Sequence, residues 1–227
     1  MKLRKFNCSP KLHEQIELPT REQVREVCSY LEPEVLNQVF LADDLVDLVG
    51  HFVARKFRVS VLHAKALEVE PTELNINANY DPDRDELGKS SIELIIVTNP
   101  TDDQFILDKP LWDLFVNRLA DSLAHELIHM HQSRTRDFIP VEHKVHRKAF
   151  IDENLVYLSD PDEIDAYAYN IATELKEHPN PFLVFNNPAA VSVNDSINLW
   201  AYVQAFAKDI KNPTMKKLLK KVYKHLT

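Results

Sequence analysis

Two glycines, Gly50 and Gly88, are all that this chain of 227 residues contains. Glycine enters left-handed backbone conformations at little steric cost and lets a backbone approach a phosphate closely. Folds built around glycine-rich loops are therefore closed to it. Neither a G-x-G-x-x-G dinucleotide loop nor a G-x-x-x-x-G-K phosphate loop can be written from these two positions, and the G-x-S-x-G elbow of a serine hydrolase is equally excluded. Nucleotide-dependent chemistry of those kinds is ruled out.

What remains is an ordinary globular composition, 44% hydrophobic and 27% charged. A chain of this length buries roughly 70% of its unfolded surface, enough for a proper core. One domain is expected, in three stretches: helices and β-segments over 1–110, the chemistry-bearing helices over 111–178, and a C-terminal helical part over 179–227. No apolar run approaches the roughly 20 residues of a bilayer helix, and the amino-terminal stretch has no signal-peptide core. A soluble, cytoplasmic protein is expected, or for a phage product one of the host cytoplasm or virion. Cys8 and Cys28 are too few for a disulfide framework and lie in no metal-binding spacing. A net charge of −8 argues against nucleic acid as a partner. The distribution is uneven: seven lysines against one acid lie between Lys208 and Lys224.

Periodicity gives the elements. Thr20 and Gln23 form a capping box for a helix with Val24, Val27, Cys28 and Leu31 on one face. A second helix is predicted over 42–57. Residues 73–80 alternate at period two and 92–97 are β-branched and apolar, so an antiparallel pair is predicted around the acidic turn at 81–88. A long helix should run over 111–132 behind Pro110, and another from Pro161 to about 175, where Asp160-Pro161-Asp162-Glu163 combines an N-cap, a first-turn proline and acidic charge. Two more close the chain, at 195–210 and 213–226. The fold class is α+β, helix-rich, with a small antiparallel or mixed sheet and a C-terminal helical extension.

The long helix carries LAHELIHM at 123–130. Residues four apart share a helix face, so His125 and His129 can present ring nitrogens to one Zn²⁺. Glu126 stands beside that ion, where it can take a proton from the attacking water. The alternative is a pair of buried histidines hydrogen-bonded to acids such as Asp121. A metzincin is excluded, because Gln132 and Thr135 stand where its glycine and third histidine belong.

HELIH followed by EIDAYA at 163–168 resembles the paired-helix arrangement of thermolysin-like gluzincin metallopeptidases, over perhaps 60 residues. The resemblance implies a helix-rich zincin-like fold, one Zn²⁺ per chain held by His125, His129 and Glu163, and Glu126 as general base. Peptide-bond hydrolysis in a peptide or protein substrate would be the activity. Where several gluzincins place an acid or Asn to orient a zinc histidine, this chain has Tyr167; its hydroxyl, or Asp121, would take that part. Glu163 also reads as a helix-capping residue, and Asp165 is another candidate acid. For the oxyanion, His143, His146, Tyr157 and Tyr169 are candidates. His131 lies roughly 200° round the helix from His129 and should point away. The segment 92–97 reads either as the edge that pairs with an extended substrate or as a core strand. A different class of function is also open, a non-proteolytic assembly protein that binds through the lysine-rich helix at 213–226 and its stripe of Leu218, Leu219, Val222 and Leu226.

Overall fold

Thr20 opens the first helix as its sequence predicts. Its hydroxyl accepts from the Gln23 N–H at 3.2 Å, while the Gln23 side chain accepts from the Thr20 N–H at 2.9 Å, and α1 (Arg21–Ser29) follows. The computed structural model describes residues 18, 20–70, 73–101, 104–139 and 152–227. Cys8, His143 and His146 lie outside the described residues. After α1 come α2 (Glu32–Val35), β1 (Val39–Leu41) and α3 (Ala42–Val49), the last continuing through a π-helical turn at Gly50–Ala54 into α4 (Arg55–Phe57). Then follow β2 (Ser60–Lys65), β3 (Leu74–Tyr80), α5 (Pro82–Glu86), β4 (Ile92–Thr98) and β5 (Gln104–Ile106). The remainder is helical: α6 (Lys109–Thr135), α7 (Glu153–Leu158), α8 (Pro161–Glu177), α9 (Pro181–Asn186), a 3₁₀ turn at Pro188–Ala190, α10 (Ile197–Ala205) and α11 (Pro213–Leu226).

The fold is α+β with a small mixed sheet. β3 and β4 pair antiparallel, with Tyr80 opposite Ile92 and Leu74 opposite Thr98. β2 runs parallel to the other side of β4, giving the order β2-β4-β3. β4 is therefore the central strand, which removes it as a peptide-pairing edge. Its continuous Ile-Leu-Ile-Val composition reflects that position, because a central strand covered by helices has little surface to give to polar residues. The outer strands are β2 and β3, and α6 packs against β3. A second, two-stranded pair joins β1 to β5.

Two apolar cores form. The first gathers α1, the α3 to α4 helix, the sheet and the inner face of α6 around Leu45, Leu94, Ile96, Trp112, Leu119 and Leu123. The second gathers α8, α10 and α11 around Ile164, Ile171, Leu175, Leu199, Tyr202 and Leu218. α6 and α8 pack against one another between them. Ala124 and Ala166 are both buried, and side chains this small let two helices approach closely. A buried ion-pair network spans the same junction. The Arg21 guanidinium donates to both Asp121 oxygens at 2.9 and 2.8 Å and to Glu177 at 2.7 Å, joining α1, α6 and α8. α11 is a core helix: Met215, Leu218 and Val222 are buried, and Leu219 and Leu226 pack against them. The stripe proposed as a contact surface is thus covered by α8, and the lysines of α11 occupy the outward face apart from Lys221, which pairs with Asp165 on α8.

Candidate metal centre

α6 is long because nothing in its sequence interrupts it. Asp108 caps it, its carboxylate accepting from the Leu111 N–H at 2.9 Å, and Pro110 sits in the first turn where no donor is missed. His125 and Glu126 are buried on it, and His129 is nearly so. Their rings approach edge to face, with centroids 4.7 Å apart, as four-residue spacing on a helix requires.

α8 brings the third group. Asp160 caps it by accepting from the Asp162 N–H at 2.8 Å, which leaves Glu163 free to turn away from the helix end. Its two carboxylate oxygens go to different histidines, Oε2 to His125 Nε2 at 3.1 Å and Oε1 to His129 Nε2 at 3.3 Å. The capping-only reading of Glu163 therefore does not describe its contacts. Asp165, the rival acid, pairs instead with Lys221 on α11.

His125, His129 and Glu163 could hold a metal ion. One donor atom from each lies within 4.8 Å of the other two. A tetrahedral ion with bonds of about 2.0–2.2 Å separates its ligand atoms by roughly 3.3–3.6 Å; the two Glu163–histidine distances are close to that range, while the group as a whole spans up to 4.8 Å. The charge balance agrees. Burial opposes charge on His129, but hydrogen bonding to Glu163 and its negative charge outweigh this and raise the imidazole to about 9. Burial likewise opposes charge on Glu163, yet donors from His125, His129 and Tyr157 lower it to about 2. Without an ion, the site satisfies itself as an imidazolium–carboxylate pair. Glu126 is pushed up by burial, with the negative charge of Glu163 adding to the effect, and accepts a hydrogen bond from the Tyr80 N–H on β3.

Gln132 adds a connection that the sequence reading did not find. Its carbonyl oxygen lies 2.9 Å from His129 Nδ1, and its amide nitrogen donates to the Asp162 carbonyl at 3.1 Å. Neither a carbonyl nor an ionised carboxylate can donate, so His129 carries a proton on Nδ1 for Gln132 and another on Nε2 for Glu163. One turn on, Arg136 grips the Asp162 carboxylate at 3.0 and 2.7 Å. The end of α6 thereby clamps the first turn of α8, next to Glu163. The only sequence signal was a glutamine in the metzincin glycine position, and its partner lies on another helix.

The remaining candidates divide. Tyr167 reaches the site with its ring, edge to face on His125 at 4.8 Å, and its hydroxyl hydrogen-bonds with Tyr157 rather than with a histidine. Tyr157 also hydrogen-bonds to Glu163 and is about half exposed. Asp121 does not orient His125, because Arg21 occupies its carboxylate. Tyr169 faces His225 at 5.7 Å, and His131 is exposed and outside the group. A second polar series has nucleophile-and-base spacing: His63 lies 2.9 Å from the Thr98 hydroxyl and 2.6 Å from Asp43. Thr98 is fully buried, so no substrate reaches it, and the series serves to tie β2 and β4 to α3.

Among the described residues no helix is long and apolar enough to cross a membrane. No protein-family model, no curated protein and no solved structure matches this chain.

Proposed function

We propose that this chain is a zinc-dependent metallopeptidase in which His125, His129 and Glu163 hold one Zn²⁺ and Glu126 is the general base. The observation that carries this reading is the Glu163 carboxylate, drawn from a separate helix onto the Nε2 atoms of both histidines of an HExxH helix. When bound, zinc would polarise the scissile carbonyl and bring the pKa of water toward neutrality. Three protein ligands leave a position open for that water, as hydrolytic sites need.

The chain's own groups then divide the work. Glu126, held by the Tyr80 N–H, takes a proton from water as it attacks the carbonyl and returns it to the leaving amine. Burial raises its carboxyl toward the working pH, which suits a group that must both accept and donate. Tyr157, half exposed at the rim, donates its hydroxyl to Glu163 and so helps to hold that carboxylate toward the histidines. Tyr80 stands at the end of the outer strand β3, whose outer edge pairs with no other strand among the described residues; an extended peptide running along that edge would pass beside Glu126.

Glu126→Gln keeps the shape of the site and removes the base. Zinc content should be unchanged, while hydrolysis of a denatured protein substrate should fall by about 10²–10⁴-fold or more. Turnover at the wild-type rate in that variant would eliminate the mechanism.

A further inference from the structure

On the side of α6 away from α8 lies a cavity of about 660 Å³, between the α4–β2 turn, the α5–β4 turn and the last turns of α6. Its floor is apolar, with Leu127 and Met130, and its rim is basic, with Arg58 and Lys89 beside the Ser60 and Ser90 hydroxyls. We propose that this cavity is a binding site for a phosphate monoester carried on an apolar group, with Arg58 and Lys89 as the charged partners of the phosphate.

Three observations carry this. First, the acid in the cavity is already spent. Asp85, whose side chain is 3% exposed, accepts from Arg134 at 2.8 and 2.6 Å and from the Tyr80 hydroxyl at 2.9 Å. Among the described residues Arg58 and Lys89 pair with no carboxylate, although the chain as a whole carries a net charge of −8. The local surplus is therefore positive and concave, where field lines concentrate. Second, Arg58 is held at φ 57°, ψ 42° at the end of α4. A helix end of this left-handed form is the usual place for glycine, and any other residue there costs backbone energy. Among the described residues six non-glycine positions share a positive φ, and Arg58 is the one that lines this cavity; strain of this kind gathers at ligand sites. Third, the two cations come from separate elements that are tied together at this point: Arg58 ends α4, Lys89 lies in the α5–β4 turn, and the Ser90 hydroxyl beside Lys89 donates to the Arg58 carbonyl at 3.2 Å. A guanidinium and an ammonium held side by side by separate elements supply two positive charges, which match a phosphate dianion better than a singly charged carboxylate.

Phenyl phosphate is a suitable probe, since its ring matches the apolar floor and its dianion the rim. The full-length protein is titrated with phenyl phosphate, benzoate and phenol while backbone amide signals are followed by NMR. Saturable binding of phenyl phosphate is expected, with the Ser60, Lys89 and Ser90 signals moving. Affinity should fall at least about tenfold in Arg58→Gly and in Lys89→Ala, the loss expected for one charge-assisted hydrogen bond. Arg58→Gly should not lower the melting temperature, which separates lost binding from lost folding. Neither residue belongs to the metal centre, so affinity unchanged in both variants would locate the phosphate elsewhere, at a metal for example, and overturn the proposal. Benzoate binding as tightly as phenyl phosphate would overturn the phosphate assignment.

Discussion

Gln132 touches His129 with one end of its amide and the first turn of α8 with the other. Partners of this kind fix the tautomer and direction of a metal-binding histidine, and losing one commonly weakens metal affinity 10–100-fold. Gln132→Leu should show that loss with the fold retained. Gln132→Glu keeps the acceptor for His129 but replaces the donor to the Asp162 carbonyl, so it should fall between the two. Equal zinc affinity in all three proteins, measured by competition with a chromophoric chelator, would show that the contact does not position the ligand. The His129–Glu163 pair also gives a proton count. A histidine raised to about 9 is protonated at pH 7 and must lose that proton to bind a metal. Zinc binding to metal-free protein at pH 7 should release close to one proton, measured by calorimetry in buffers of different ionisation enthalpy, and fewer as the pH passes about 9. No release at pH 7 would contradict the pairing. The sign for stability follows from the same shifts. The contribution of His129 is fully present below its ordinary value and is lost as pH rises through about 9, while that of Glu163 is present above its ordinary value and is lost as pH falls through about 2. The pair therefore supports the metal-free protein most between about pH 4.5 and 6.5, the two ordinary values.

At the scale of elements, α11 illustrates how a charged helix can be structural. Its lysines drew attention as a surface, yet Leu218 on its inner face is fully buried against α8. Leu218→Ala should destabilise the protein by about 2–5 kcal/mol, as truncation of a buried leucine does, and chemical denaturation would measure it. A loss near zero would mean that α11 is docked loosely. α6, α8 and α11 were legible in the sequence: Pro110 and Asp160-Pro161 mark the starts of the first two, and α11 occupies the predicted 213–226. The β3–β4 pair was legible from alternation at 73–80. β2 was not, since SVLHAK mixes polar and apolar residues and is defined by its parallel neighbour rather than by its own pattern. Residues 195–210 were expected to form one helix, but α10 is shorter, and the chain turns through left-handed Ala207 and Lys208, residue types that do not announce such a turn. In the site, HExxH spacing indicated His125, Glu126 and His129 directly. Glu163 needed the resemblance to a known arrangement, and the contacts of Gln132, Tyr157 and Tyr167 depend on how α6 meets α8, which no local pattern encodes.

At the scale of the molecule, the metal-ligand candidates sit where two cores meet. His125 and His129 stand on a helix that belongs to the first core, and Glu163 on a helix that belongs to the second. Arg21 and the Gln132–Arg136 clamp join the same two bodies. An ion bound there would cross-link them, and any ligand that binds only the folded state raises stability by mass action. The most direct measurement is the metal content of the purified chain, by elemental mass spectrometry on protein prepared without chelator. The expected result is about one zinc per chain in wild type and in Glu126→Gln, lost in Glu163→Ala. No zinc in the wild type, even after incubation with the ion, would contradict the account and leave His125, His129 and Glu163 as a buried ion pair.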